Sequence, residues 1–78
     1  MEKAKKLSWF NEIMKTKMLK HKENPFEMTY KELFDWLDEE VAELKEAIQI
    51  GSRAEIIKEC ADVANIVYFI AVKVKRGI

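Results

Sequence analysis

A single cysteine, Cys60, rules out an intramolecular disulfide framework, and its place in an apolar run reads as a buried thiol in a reducing cytoplasm. One proline and two glycines in 78 residues leave little material for the turns of a β-domain. Long apolar runs are missing too: the richest, Cys60 to Val72, spans about 13 residues and is interrupted by Asp62 and Asn65, too short and too polar to cross a bilayer. The opening Met1-Glu2-Lys3-Ala4-Lys5-Lys6 is followed by no apolar core, which argues against a signal peptide. The one histidine, His21, stands at an expected helix C-terminus, where a cation-capable side chain is favoured, and no carboxylate accompanies it at metal-site spacing. Arginine occurs only as Arg53 and Arg76, so the basic face with arginine readers expected of a nucleic-acid binder is lacking. Neither nucleic acid nor membrane is therefore an expected partner.

What is present is 36% charged residues beside 49% apolar ones, a balance suited to one compact, all-α domain over residues 1–78. The net charge of zero hides a pattern. Residues 1–24 carry a net +4, residues 27–62 a net −7 and residues 63–78 a net +3. An acidic middle between basic ends suits a metal-bridged polyphosphate, which uses both signs of charge.

Helical periodicity places three helices, at about 2–22, 30–50 and 53–76. The first carries Leu7, Phe10, Met14 and Met18 on a stripe expected to be core, while Trp9 points away and suits an interface or stacking on a base. Pro25 breaks the chain, and Phe26 and Met28 are expected either to tuck back onto the bundle or to wall a pocket. Thr29-Tyr30-Lys31-Glu32 and Ser52-Arg53-Ala54-Glu55 both read as capping boxes, and Gly51 supplies a left-handed helix end between them.

The chain is organised around Glu39 to Asp62. Glu40 with Glu43, and Glu59 with Asp62, are spaced three apart, so each pair shares one helix face. Glu40 falls inside the apolar arc of Leu33, Trp36, Leu37, Val41, Leu44, Ala47 and Ile48, with Glu43 at its edge, where a solvated acidic helix would not put them. Asp35, Asp38 and Glu46 lie on the solvated face. Folding about Gly51 brings Glu40 level with Asp62 and Glu43 level with Glu59, roughly 12–17 Å from the turn at 1.5 Å per residue. Four converging carboxylates raise one another's pKa values unless a cation is present, and a hard divalent ion with oxygen ligands is the natural occupant.

The third helix has Ile56, Cys60, Val63, Val67, Ile70 and Val74 on one face and further apolar residues nearly all round. A helix apolar all round is buried all round, so a second subunit is expected to complete the bundle. Asn65 lies one turn beyond Asp62 on the same side, placed to orient a carboxylate or to bond a ligand.

Glu39-Glu40-Val41-Ala42-Glu43-Leu44, a gap of 15 residues, and Glu59-Cys60-Ala61-Asp62-Val63 together resemble the signature of the MazG-like all-α nucleoside triphosphate pyrophosphohydrolases, a group that includes dimeric dUTPases. The resemblance covers two of the three helices. It implies cleavage of an NTP or dNTP to a monophosphate and pyrophosphate in a homodimer or homotetramer. Glu40, Glu43, Glu59 and Asp62 would hold Mg²⁺, with Mn²⁺ as an alternative. Glu39 would stand behind the ligands or act as general base, and Asn65 would contact the nucleotide or a ligand. Base and sugar contacts would come from the first helix and its loop, with Trp9, Lys17 and Phe26 as candidates. Members commonly continue into a fourth helix, whereas this sequence ends Lys73-Val74-Lys75-Arg76-Gly77-Ile78; phosphate-binding cations are then expected from that basic stretch, from Lys58 or from a partner subunit.

Two other classes compete with this reading. A helical interaction module could keep the fold without turnover. A di-iron carboxylate bundle would need Glu-x-x-His pairs, and His21 belongs to none.

Overall fold

A computed structural model of the chain describes residues 7–20 and 24–77. Four elements follow one another: α1 (Ser8–Lys20), a short 3-10 turn (Pro25–Glu27), α2 (Tyr30–Ile50) and α3 (Arg53–Arg76). There is no strand among the described residues. The expected extensions of the first helix over 2–6 and 21–22, and His21 with them, lie outside those residues. No described helix is long and apolar enough to cross a membrane.

Local chemistry explains each boundary. Asn24 opens the 3-10 turn by accepting from the Phe26 N–H at 3.1 Å, and Pro25 supplies a fixed φ at its first position, where its missing N–H is no loss. At the start of α2 the capping box is complete: Glu32 N–H donates to Thr29 Oγ1 at 3.1 Å, and Thr29 N–H donates to Glu32 Oε1 at 3.0 Å. At α3 one half of the expected box forms, with Glu55 N–H donating to Ser52 Oγ at 3.3 Å. The Glu55 carboxylate leans instead along its own helix to Lys58 at 3.8 Å. Between the two, Gly51 turns the chain at φ 85°, and its N–H donates to the Ala47 carbonyl at 3.0 Å.

α2 and α3 pack along their length as an antiparallel hairpin, and α1 lies against α3. The hairpin buries Leu33, Ala47, Ala61, Ile66 and Phe69. Leu33 and Ile66 are fully enclosed, which contributes roughly 1.5–3 kcal/mol each. Phe69 is the hub of the far end. Trp36 stacks near it at 6.1 Å and Phe26 meets it edge-on at 5.8 Å, while Arg76 covers Phe26 at 4.6 Å. Phe26 has therefore tucked onto the bundle. Lys73, also buried, holds its ammonium 5.1 Å from the Tyr30 ring, a cation–π contact that fastens the end of α3 to the start of α2.

Two expectations about the core are corrected. Leu7 is half-exposed, and α1 buries no residue at all, because among the described residues the helix rests chiefly against α3. Ile48 is exposed despite belonging to the apolar stripe of α2, since the facing residues Arg53, Ala54 and Glu55 are themselves exposed and give it no cover. α3, as expected of so short a chain, is covered on one side only: Ala61, Asn65 and Phe69 face the bundle, and Val67, Tyr68, Ala71 and Val74 are open to solvent.

Nothing lies within 4 Å of a Cβ added at Gly51, so a side chain there is opposed by backbone conformation alone. Gly51→Ala is expected to lower stability by about 1–2 kcal/mol and Gly51→Asn by less. Urea denaturation followed by circular dichroism measures both.

Candidate metal centre

Glu40 and Glu43 come from consecutive turns of α2, and Glu59 from the second turn of α3. The hairpin brings one oxygen of each within 4.8 Å of the other two. Glu40 and Glu59 are half-buried and Glu43 is exposed, so the cluster opens to solvent on one side. Trp36, one turn before Glu40, donates its indole N–H to Glu40 Oε1 at 3.2 Å and fixes that carboxylate. The other oxygen, Glu40 Oε2, is buried without a hydrogen-bond partner, and so is Glu59 Oε2. Buried carboxylate oxygens are ordinarily satisfied. Two orphans in one acidic cluster are oxygens that a cation would satisfy.

The electrostatics agree. Loss of water, the neighbouring Glu43 and the charge of Asp62 push the Glu40 carboxyl up to about 7, against a smaller opposing pull from the Trp36 N–H. Burial first, and then Glu43 and Asp62, also raise Glu59, with Lys17 pulling the other way. When Glu40 is protonated it can donate to Glu43, and when it is ionised the contact is repulsive. All the candidate ligand atoms are carboxylate oxygens, the donor type that Mg²⁺ and Mn²⁺ prefer. The residues fit a hard divalent cation.

Asp62, the fourth expected ligand, sits beside the three and is engaged by Lys17 of α1, Nζ to Oδ2 at 2.8 Å, with both side chains mostly covered. Asn65 is buried at 1% exposure and donates from Nδ2 to the Met14 carbonyl at 3.1 Å. It thus braces α1 against α3, and its Oδ1 has no partner. Glu39 is exposed and outside the three-carboxylate cluster. Trp9 is half-exposed and meets Phe10 edge-on at 5.6 Å. Phe26 belongs to the aromatic cluster around Phe69. Lys58 is exposed and joins Lys17, Glu12, Ile13 and Thr16 around a cleft of about 210 Å³ between α1 and α3. A second hollow of about 460 Å³ lies farther along α1, where Met14, Met18 and Tyr68 give it an apolar floor. Sequence reasoning missed Trp36 as part of the site. Its four-residue spacing before Glu40 on one helix face was the available signal.

An antiparallel helical hairpin that gathers carboxylates from both arms at one open position places the chain among all-α proteins with an acidic cluster between two helices. The model of the phosphoribosyl-ATP pyrophosphohydrolase family matches residues 7–77, and the chain belongs to that family, which lies within the MazG-like all-α NTP pyrophosphohydrolase superfamily. No curated protein and no solved structure matches it. Membership indicates a pyrophosphohydrolase-type activity on a nucleotide.

A carboxyl whose pKa is raised on folding binds its proton more tightly in the native state. Its ionisation destabilises the fold as pH rises from the unfolded value near 4.5 to the folded value of about 7. Chelator-treated protein is therefore expected to melt higher at pH 5.5 than at pH 8. Glu40→Gln should melt above wild type at pH 8 and flatten the profile, as read by calorimetry across that range.

Proposed function

We propose that the chain is a Mg²⁺-dependent pyrophosphohydrolase that converts an NTP or dNTP to the nucleoside monophosphate and pyrophosphate. The observation that carries this is the set of three carboxylate oxygens within 4.8 Å, two of whose carboxylates keep a buried oxygen with no partner. Glu40, Glu43 and Glu59 would hold the ion, with Asp62 beside them. The cation would neutralise phosphate charge and lower the pKa of a bound water. The reaction consumes one water: a new P–O bond forms to the water oxygen, the α–β anhydride bond breaks, and pyrophosphate leaves with the bridging oxygen. The chain's own contribution is to hold a carboxylate array in place before substrate arrives. Trp36 fixes Glu40, the hairpin fixes Glu59 opposite it, and Asn65 holds α1 over α3. Glu39, exposed one residue from Glu40, is the carboxylate free to take the proton from the attacking water.

Assembly is the second part of the reading. Cys60, Ala64, Val67, Ala71 and Val74 repeat at alternating steps of four and three along α3, the spacing of a coiled-coil seam. Val67, Ala71 and Val74 of that seam are exposed. A second copy seated there makes a homodimer whose core α3 helices pack closely over small side chains. A reducing, cytoplasmic setting suits the free Cys60 thiol on that seam.

Purified protein supplied with Mg²⁺ and a panel of NTPs, dNTPs and phosphoribosyl-ATP should release pyrophosphate from at least one of them. Glu40→Gln and Glu59→Gln should each reduce the rate by ~100-fold or more. Mg²⁺ should raise the melting temperature of wild type and not of Glu40→Gln. Absence of release from every substrate, together with no Mg²⁺-dependent melting shift, would favour an interaction module. Ala71→Arg should turn the dimer into a monomer in light scattering after size exclusion.

A further inference from the structure

Lys17 belongs to two places at once. Its ammonium is 2.8 Å from Asp62 Oδ2 at the edge of the acidic cluster, and its side chain also lines the 210 Å³ cleft that carries Lys58. It is the cation that reaches from α1 to the cluster, and α1 is the one α-helix with no buried residue. A lysine stem is long and flexible, so the ammonium can reach the carboxylate or the cleft without displacing the helix. We propose that Lys17 is an exchangeable internal cation, which neutralises Asp62 while the cluster is empty and is released by an arriving divalent ion into the cleft, where with Lys58 it binds the outer phosphates of the substrate.

The charges require some such exchange. Glu40, Glu43, Glu59 and Asp62 form a group of four formal negative charges, which the single charge of Lys17 offsets only in part. A divalent ion on Glu40, Glu43 and Glu59, beside Asp62, neutralises more of that charge and weakens the hold on Lys17. The freed ammonium then faces a cleft in which Lys58 has only a loose partner, Glu55 at 3.8 Å and exposed. Lys17 and Lys58 are the two cations on this mostly apolar cleft, and Glu12 on the same wall is in a loose, exposed pair with Lys15 at 3.5 Å, so the lysines at its rim are the groups offered to phosphate oxygens. The site reads phosphate charge and no base. This rests on the assignment of the carboxylates to a divalent ion.

The test uses the full chain and two direct binding measurements. Mn²⁺ affinity is read from the loss of the free-ion electron paramagnetic resonance signal, without phosphate. Affinity for inorganic triphosphate in excess Mg²⁺ is read by calorimetry. Lys17→Met is expected to bind Mn²⁺ about fivefold or more tightly than wild type and triphosphate about fivefold or more weakly, the two effects having opposite sign. Lys58→Met should weaken triphosphate alone, and Lys17→Arg should restore triphosphate binding. Parallel weakening of both ligands in Lys17→Met, or no change in either, overturns the exchange while leaving the metal assignment intact. Tighter Mn²⁺ binding without loss of triphosphate overturns the handover to the cleft. No Mn²⁺ binding by wild type or by Lys17→Met overturns the metal assignment and the exchange together.

Discussion

The fold is constrained most by a repulsion it does not relieve. Glu40, Glu43 and Glu59 point to one spot, two of them half-buried, and among the described residues nothing bonds the inner oxygens of Glu40 and Glu59. Unpaired buried charge costs several kcal/mol, and a small helical domain has little to set against it. The arrangement persists because both carboxyl-bearing helices are held elsewhere. Leu33, Ala47, Ala61 and Ile66 close the hairpin on either side of the cluster, and Phe69 with Trp36 and Phe26 clamps its far end. Packing stabilises the geometry while electrostatics oppose it, and binding of a divalent ion would reverse the sign of the second term.

How much of this could be read in the sequence depends on how local the cause was. The ends of α2 and α3 follow from Thr29, Gly51 and Ser52, whose side-chain or backbone preferences act within a few residues, so the boundaries Tyr30–Ile50 and Arg53–Arg76 emerge directly. The meeting of Glu40, Glu43 and Glu59 follows almost as directly, since one glycine and two helical repeats fix their heights. The engagement of Asp62 by Lys17 does not follow. It depends on how α1 lies across the hairpin, and the 45-residue separation of that pair carries no periodic signal. The exposure of Leu7 and Ile48 was illegible for a similar reason, because a stripe says which face is apolar and not whether anything covers it. Trp36 was read as core and is core, through Phe69, yet its N–H also serves Glu40. An amphipathic ring can do both.

α1 differs from the other two helices in what holds it. It buries no side chain, and its polar ties to α3 are the Asn65 bond to the Met14 carbonyl and the Lys17 ion pair. Of those two α3 residues, Asp62 acts electrostatically on Glu40 and Glu59, and Asn65 lies one turn farther along the helix. The helix that forms one wall of the 210 Å³ cleft is thus fastened in part by an ion pair that shares its acid with the field of the cluster.

α3 is used on opposite sides for opposite purposes. Ala61, Asn65 and Phe69 face the chain's own core, while Val67, Ala71 and Val74 stand on the far side with no cover. Cys60, on the outer seam, is the immediate neighbour of Glu59 in the cluster. A helix so placed cannot be tilted or rotated to improve one contact without moving the other. If a second copy covers the outer seam, the register between subunits and the position of Glu59 opposite Glu40 become one geometric variable. Assembly would then stiffen the half of the site that the thin single-chain core holds least firmly, and a loosened seam would be felt at the cation before it was felt in the secondary structure.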